Sequence, residues 1–316
     1  MSLRRFIARR LLLIIPILFG VSVITFGLAN LAPSNAVDLL ISFNPQISAG
    51  EAARVRARFG LDEPVWVRYI DWLSGVLQGD FGIVIQSNRP VADVVVTRIP
   101  ETIVLGLFGW VIALVIAIPT GIIAAVKKDE LADDVSRFVA LSGISIPNFW
   151  LGLMLILIFA VWLNFFPVLA PQSSLLSPDM LWFLVLPGIT IGTAASATLM
   201  RIMRSSMAEE LNKEYVTAAR AKGLPERTVI LKHVLRNSLI SVATVAAFLT
   251  SGILAGSVVV ESVFGWPGLG RELIQAVTAR EINLIMAITL FTGVALVIAN
   301  LLADIAYAVL DPRIRY

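Results

Sequence analysis

The sequence predicts an all-α, polytopic membrane protein of six transmembrane helices. Hydrophobic residues fill 58% of its 316 positions and charged residues only 15%, whereas a water-soluble domain carries about 25% charge. Six apolar segments lie near or above the ~20 residues that a helix needs to cross about 30 Å of hydrocarbon. The lysines and arginines are also unevenly spread, with 17 of 25 in the connections that share a side with the N-terminus.

The first predicted span covers residues 11–31, uncharged and with one proline, Pro16. Arg4, Arg5, Arg9 and Arg10 precede it. A secretory signal has the same order of parts but an apolar core of about 7–15 residues. This longer run, without a small-x-small cleavage site, reads as a retained helix. The remaining spans are 102–126, 138–165 (interrupted at Pro147), 180–200, 239–260 and 282–310. Prolines 119, 147 and 187 are tolerable there, because neighbouring helices can satisfy the freed backbone groups. Cytoplasmic connections are enriched in Lys and Arg, so both termini are expected in the cytoplasm. The expected organisation is residues 1–97 as first span plus extracytoplasmic loop, 98–310 as core, and 201–238 as a long cytoplasmic loop.

Within the outer loop, Ser48 and Glu51 make a capping-box pattern ahead of Ala52–Phe59, and Gly60 supplies a stop. A second helix is predicted from Pro64, carrying Trp66, Tyr69, Ile70, Trp72, Leu73 and Val76. Such a stretch suits the membrane interface or the rim of a helix bundle. Direct substrate contact is the other reading.

Bundle helices usually connect through about 2–8 residues, so the loop at 201–238 needs a reason. It reads as helix, turn, helix: good helix formers from Glu209 to Ala221, a Lys222-Gly223 stop, then Pro225 opening Glu226–Arg236. Small residues Ala218, Ala219 and Ala221 beside Tyr215 would let another surface approach closely. Arg220, Lys222 and Arg227 alternate there with Glu209, Glu210, Glu214 and Glu226. That mixed charge suits a protein partner better than anionic lipid, which is the alternative.

Gly188-x-x-x-Gly192 and Gly252-x-x-x-Gly256 have the spacing of close helix contacts, either inside the bundle or between two subunits. Phe264-Gly265-Trp266-Pro267-Gly268-Leu269-Gly270 reads as a rigid turn at the interface. With no cysteine and one histidine, His233, neither a thiolate nor a paired-His metal site is possible. The middles of the spans carry no ionisable residue, which removes the usual relay of a proton-coupled secondary carrier. An intramembrane hydrolase has no histidine near a membrane serine. No G-x-x-x-x-G-K-[ST] phosphate loop occurs.

Arg204, the run Glu214-Tyr215-Val216-Thr217-Ala218-Ala219-Arg220-Ala221-Lys222-Gly223-Leu224, and His233-Val234-Leu235-Arg236-Asn237 together resemble the cytoplasmic coupling loop of binding-protein-dependent ABC importer permeases, in the dipeptide, oligopeptide and nickel branch. Phe59 through Pro64, Gly79-Asp80-Phe81-Gly82, Arg98 through Thr102, Ile146 through Trp150, Glu261 through Gly270 and Asp311-Pro312-Arg313 extend the resemblance along nearly the whole chain. Thr217 stands where the wider family has a glutamate before two alanines, and the Ile-x-Leu-Pro ending is replaced by His233 to Asn237.

The resemblance implies a type I ABC importer permease fold in a prokaryotic inner membrane and a non-catalytic subunit without a metal or bound cofactor. ATP and Mg would sit on two cytoplasmic ATPase subunits. It also implies a homologous or identical permease partner, an extracytoplasmic solute-binding protein, and no nucleic acid. The ATPase dock would comprise Glu214, Tyr215, Ala218, Ala219, Ala221, Lys222, Gly223, Leu224, His233, Arg236 and Asn237. Glu261, Phe264, Trp266, Pro267 and Gly268 would form an outer gate or a binding-protein contact. Cargo would be a di- or oligopeptide, nickel or another small solute.

Overall fold

The computed structural model describes residues 3–31, 37, 38, 41, 49–58, 60–171 and 173–310. Its elements are α1 (Leu3–Asn30), α2 (Ala49–Arg58), α3 (Val65–Leu77), β1 (Ile83–Val84), β2 (Arg89–Pro90), α4 (Val91–Val126), α5 (Leu131–Ser145), α6 (Asn148–Leu155) with a π-helical continuation Ile156–Trp162, α7 (Pro178–Leu211), α8 (Glu214–Ala221), α9 (Glu226–Thr228) with a π-helical stretch Val229–Val234, α10 (Leu235–Val263), α11 (Leu269–Ala279) and α12 (Ile282–Leu310). Five of the described helices are long and apolar enough to cross a membrane, and α5 with α6 makes a sixth if that bent pair counts as one span.

The chain forms two compact units. One comprises Thr102–Trp266 and the segment from Ile298, the other the residues up to Glu101 and Pro267–Val297. Pro267–Val297 therefore groups with the N-terminal part, not with the 98–310 core that the sequence suggested. The buried Glu281 carboxylate explains part of this return, accepting the backbone N–H groups of Ile85 at 2.9 Å and Gln86 at 2.8 Å. Arg98 meets Glu272 at 3.4 Å, and Val91, Val95, Leu284 and Ile288 share one buried cluster. The two-residue hairpin β1–β2 is a local exception to the all-α expectation, turning through Asn88 at φ 52°.

In this N-terminal unit α3 lies against α1. Tyr69 and Ser22 share a hydroxyl hydrogen bond of 2.9 Å, and Phe26 packs edge-on against Tyr69 at 5.3 Å. Trp66 and Ile70 point outward. The aromatic helix is thus packed on a membrane helix by one face. Gly60, at φ +64°, ends the preceding segment through Gly60 N–H to Ala57 and Leu61 N–H to Arg56. Ser48, Phe59 and the closing Asp311-Pro312-Arg313 lie outside the described residues.

In the larger unit α7 is the central helix. Ser177 caps it by accepting the Met180 N–H, with Pro178 in the first turn. Its small residues permit close approach. A Cβ at Gly188 would come within 2.7 Å of Phe108 and Ile112, and one at Gly192 within 2.7 Å of the Gly109 carbonyl oxygen. Gly188-x-x-x-Gly192 therefore serves packing inside the chain, whereas Gly252 faces open space.

Four predicted spans are corrected in shape. The second begins at Val91, not Thr102. The fourth reaches Leu211 instead of 200, and the fifth begins at Leu235 instead of 239. The third, expected at 138–165, is broken: Leu131–Ser145 and Asn148–Trp162 meet at 107°. Pro147 lacks an N–H and disfavours helical backbone at the residue before it. Ile146 accordingly sits at φ −82°, ψ 125°.

Candidate partner-docking surface

The 201–238 loop is built on the end of α7. Asn212 turns its side chain back to the Ala208 carbonyl at 2.8 Å, and the helix stops at Leu211. Glu209 and Glu210 thus belong to α7, whereas the sequence suggested that they open the first loop helix. That helix, α8, has Glu214 in its first turn and Arg220 in its last, each favourable to the helix dipole.

Val216 and Ala219 turn inward and are buried in a cluster with Met203, Met207, Val229 and Val234. Ala219 is therefore a packing residue, not part of an exposed small-residue patch. An α-helix repeats every 3.6 residues, so once Val216 points inward Ala219 must follow. Ala218, Ala221, Lys222, Gly223 and Leu224 remain exposed together with Glu214.

Gly223, at φ +73°, closes α8 as its own N–H bonds Arg220 at 2.9 Å while Leu224 N–H reaches Ala219 at 3.4 Å. This paired pattern satisfies the last carbonyls of a helix. The chain re-enters helix at Pro225, whose carbonyl accepts from Thr228 at 2.8 Å. Arg220 and Glu226 pair across the turn at 2.6 Å. The predicted second helix does not stop at Arg236, because α9, the π-helical stretch and α10 run on without a break.

The Tyr215 hydroxyl donates to Glu210 at 2.7 Å and accepts from Asn237 at 3.2 Å. Lys213 also bonds Glu210. Burial, and the carboxylate it donates to, push the Tyr215 phenol above its ordinary pKa. The hydroxyl is thus committed inside the chain, and only the ring side is open, lining a shallow groove with His233, Arg236 and Asn237.

One functional cluster escaped the sequence reading. Asp133, fully buried, receives Arg204 Nε and a second guanidinium nitrogen at 2.6 Å each, Arg137 at 2.8 Å, and the Asp129 N–H at 3.1 Å. Bidentate pairs of this kind fix orientation. It ties α5 to α7 about two turns before α7 ends at Leu211. The Asp133–Arg137 spacing of four was readable, but nothing in the sequence paired Asp133 with Arg204, 71 positions away.

The outer turn is also built by helix termination. Gly265, at φ +65°, and Trp266 close α10 on Ser262 and Glu261, with the Trp266 N–H at 2.8 Å from the Glu261 carbonyl. Trp266 is fully buried and stacks on Phe183 at 6.0 Å. Phe264 and Glu261 are buried too, and Thr102 donates to the Glu261 carboxylate at 2.9 Å. Gly268 is likewise buried, and Pro267 half-buried. The expected binding-protein contact thus finds no fully exposed side chain among these five residues, because the turn folds its aromatics inward.

Residues 117–316 match the family described as binding-protein-dependent transport system inner membrane component, and residues 3–106 match the N-terminal region of such membrane components. The chain is 38% identical over 315 residues to the oligopeptide transport system permease protein AppB of Bacillus subtilis, covering 98% of this chain and 99% of that one. It is 35% identical over 336 residues to the dipeptide transport system permease protein DppB of Escherichia coli K12, covering 99% of each. A crystal structure of an amino acid ABC transporter with histidines aligns with a TM-score of 0.53 at 15% identity, over 68% of this chain and 93% of that one.

Proposed function

The chain belongs to the family of inner membrane components of binding-protein-dependent transport systems, and from that premise we propose that it imports short peptides as half of an ATP-driven pathway. It is a multi-pass permease subunit. The other half would be a homologous or identical permease, an extracytoplasmic binding protein would deliver the cargo, and both termini would face the cytoplasm. Hydrolysis of ATP with Mg belongs to two separate ATPase subunits, and this chain acts without catalysis of its own.

The observation that carries the coupling role is the α8 knob. Leu224 and exposed Ala218 and Ala221 stand beside Lys222 and Glu214 on a turn closed by Gly223. A short helix presenting small and apolar residues suits helix-in-groove docking. Gly223, Leu224, His233, Arg236 and Asn237 complete the proposed contact, with Tyr215 bracing it from inside. Such a dock does work only if the ATPases bind the two permease conformations unequally. About 5.5 kcal/mol of difference swings a 1:99 equilibrium to 99:1. The cargo follows from the two peptide-transport relatives.

The test is co-purification in mild detergent with the ATPase subunits, paired with uptake of labelled dialanine. Recovery of ATPases with the native loop, and their loss when residues 214–224 are scrambled, supports the dock. Retention after scrambling sinks it, and absent dialanine uptake by the intact complex sinks the cargo.

A further inference from the structure

The N-terminal unit contains a cavity of about 280 Å³, at the small end of ligand pockets, which run from about 300 Å³ upward. Its lining carries both signs of charge: Arg68 and Arg280 as cations, Glu63, Asp71 and Asp80 as anions, with the Trp72 indole among them. Asp80 accepts the Gly82 N–H at 2.8 Å. Among the described residues, Arg68, Arg280, Glu63 and Asp71 form no ion pair with one another. The Trp72 Nε1–H is buried without an acceptor among the described residues.

Arg68 is half-buried, and its lost hydration lowers its pKa with no carboxylate to compensate. A charged group taken from water without a partner costs free energy. An arginine that lines the cavity and forms no ion pair among the described residues calls for an anionic group, and a planar carboxylate meets a guanidinium through two hydrogen bonds. The carboxylates of Glu63, Asp71 and Asp80 supply the opposite requirement, an ammonium. The segment holding most of this lining is the one that the charge distribution assigns to the extracytoplasmic side.

We propose that this cavity binds the free termini of a short zwitterionic peptide, its carboxylate on Arg68 and its ammonium among Asp71, Glu63 and Asp80. This rests on the peptide-cargo reading and adds a recognition site on the permease itself. The volume restricts the ligand to a few residues.

The experiment uses the assembled transporter in lipid nanodiscs without binding protein, with dialanine as probe and N-acetyl-dialanine amide as its uncharged counterpart. Dialanine should bind at least tenfold more tightly than the capped form. Arg68→Gln should lower dialanine affinity about tenfold, and Arg68→Lys less. Arg89→Gln, an exposed cation outside the cavity, should leave it unchanged. Equal binding of free and capped dipeptide, or native affinity in folded Arg68→Gln, overturns the site. If the complete transporter takes up dialanine while the permease binds none, the site falls and the cargo reading stands. Binding with no dialanine uptake overturns the cargo reading and leaves the zwitterion site standing.

Discussion

At Gly223 the constraint is backbone conformation, since nothing lies within 4 Å of where its Cβ would be. A β-branched residue at φ +73° is strained by about 1–2 kcal/mol, and the turn must rearrange. Gly223→Val is expected to abolish ATPase co-purification and uptake while the chain still inserts. Gly223→Asn, which tolerates this conformation, should retain most uptake, measured on whole cells. Asp133 poses a different problem. Asp133→Asn strips the charge from a site holding the Arg204 guanidinium, itself mostly buried. Breaking such a pair costs about 3 kcal/mol, so the purified variant should lose its folded signal at a clearly lower temperature. Arg204→Lys with Asp133 intact should lower it as well, because a lysine cannot form the two-point contact. Gly223 was legible because a glycine between two helical runs has one obvious job. Ala219 was misassigned because its face is decided by Val216 and the cluster beneath it. Arg204 was recognised by resemblance alone, and its partner needed the fold.

The helices divide similarly. Their existence follows from apolar length, but their ends follow from local chemistry that hydropathy averages away. Asn212 stops α7 by bonding backward. Nothing polar stops α10 at its beginning, so the loop helix and the membrane helix merge. Pro147 was expected to interrupt a span, and the size of the bend came only with the structure. Gly192 and Gly252, drawn from two glycine pairs of identical spacing, have opposite surroundings. Gly192→Val would push side-chain atoms into the Gly109 backbone, which has no room to yield, at about 1–3 kcal/mol. Gly252→Val meets open space. The first should lower the thermal midpoint of the isolated chain in detergent and the second should leave it nearly unchanged.

For the molecule as a whole, membrane sidedness rests on charge counting, and the absence of cysteine makes it directly measurable. In spheroplasts, Arg89→Cys should react with a membrane-impermeant maleimide, while Lys222→Cys should react only after permeabilisation. The reverse pattern would invert the topology. The division into two units was not legible, because the segment from Pro267 pairs with residues nearly 200 positions earlier through Glu281. Separations of that length leave no periodic trace in a sequence.

The unbroken run from Glu226 through Val263 has a mechanical meaning. At about 1.5 Å per residue it is a rod about 55 Å long, held at its foot beside the Gly223 turn. A stiff rod amplifies angle into travel. Tilting the foot by about 5° carries the far end roughly 5 Å, about one helical pitch, without a hydrogen bond being broken along the way. A partner that grips the knob therefore holds a lever arm whose tip is the buried Glu261 end of α10.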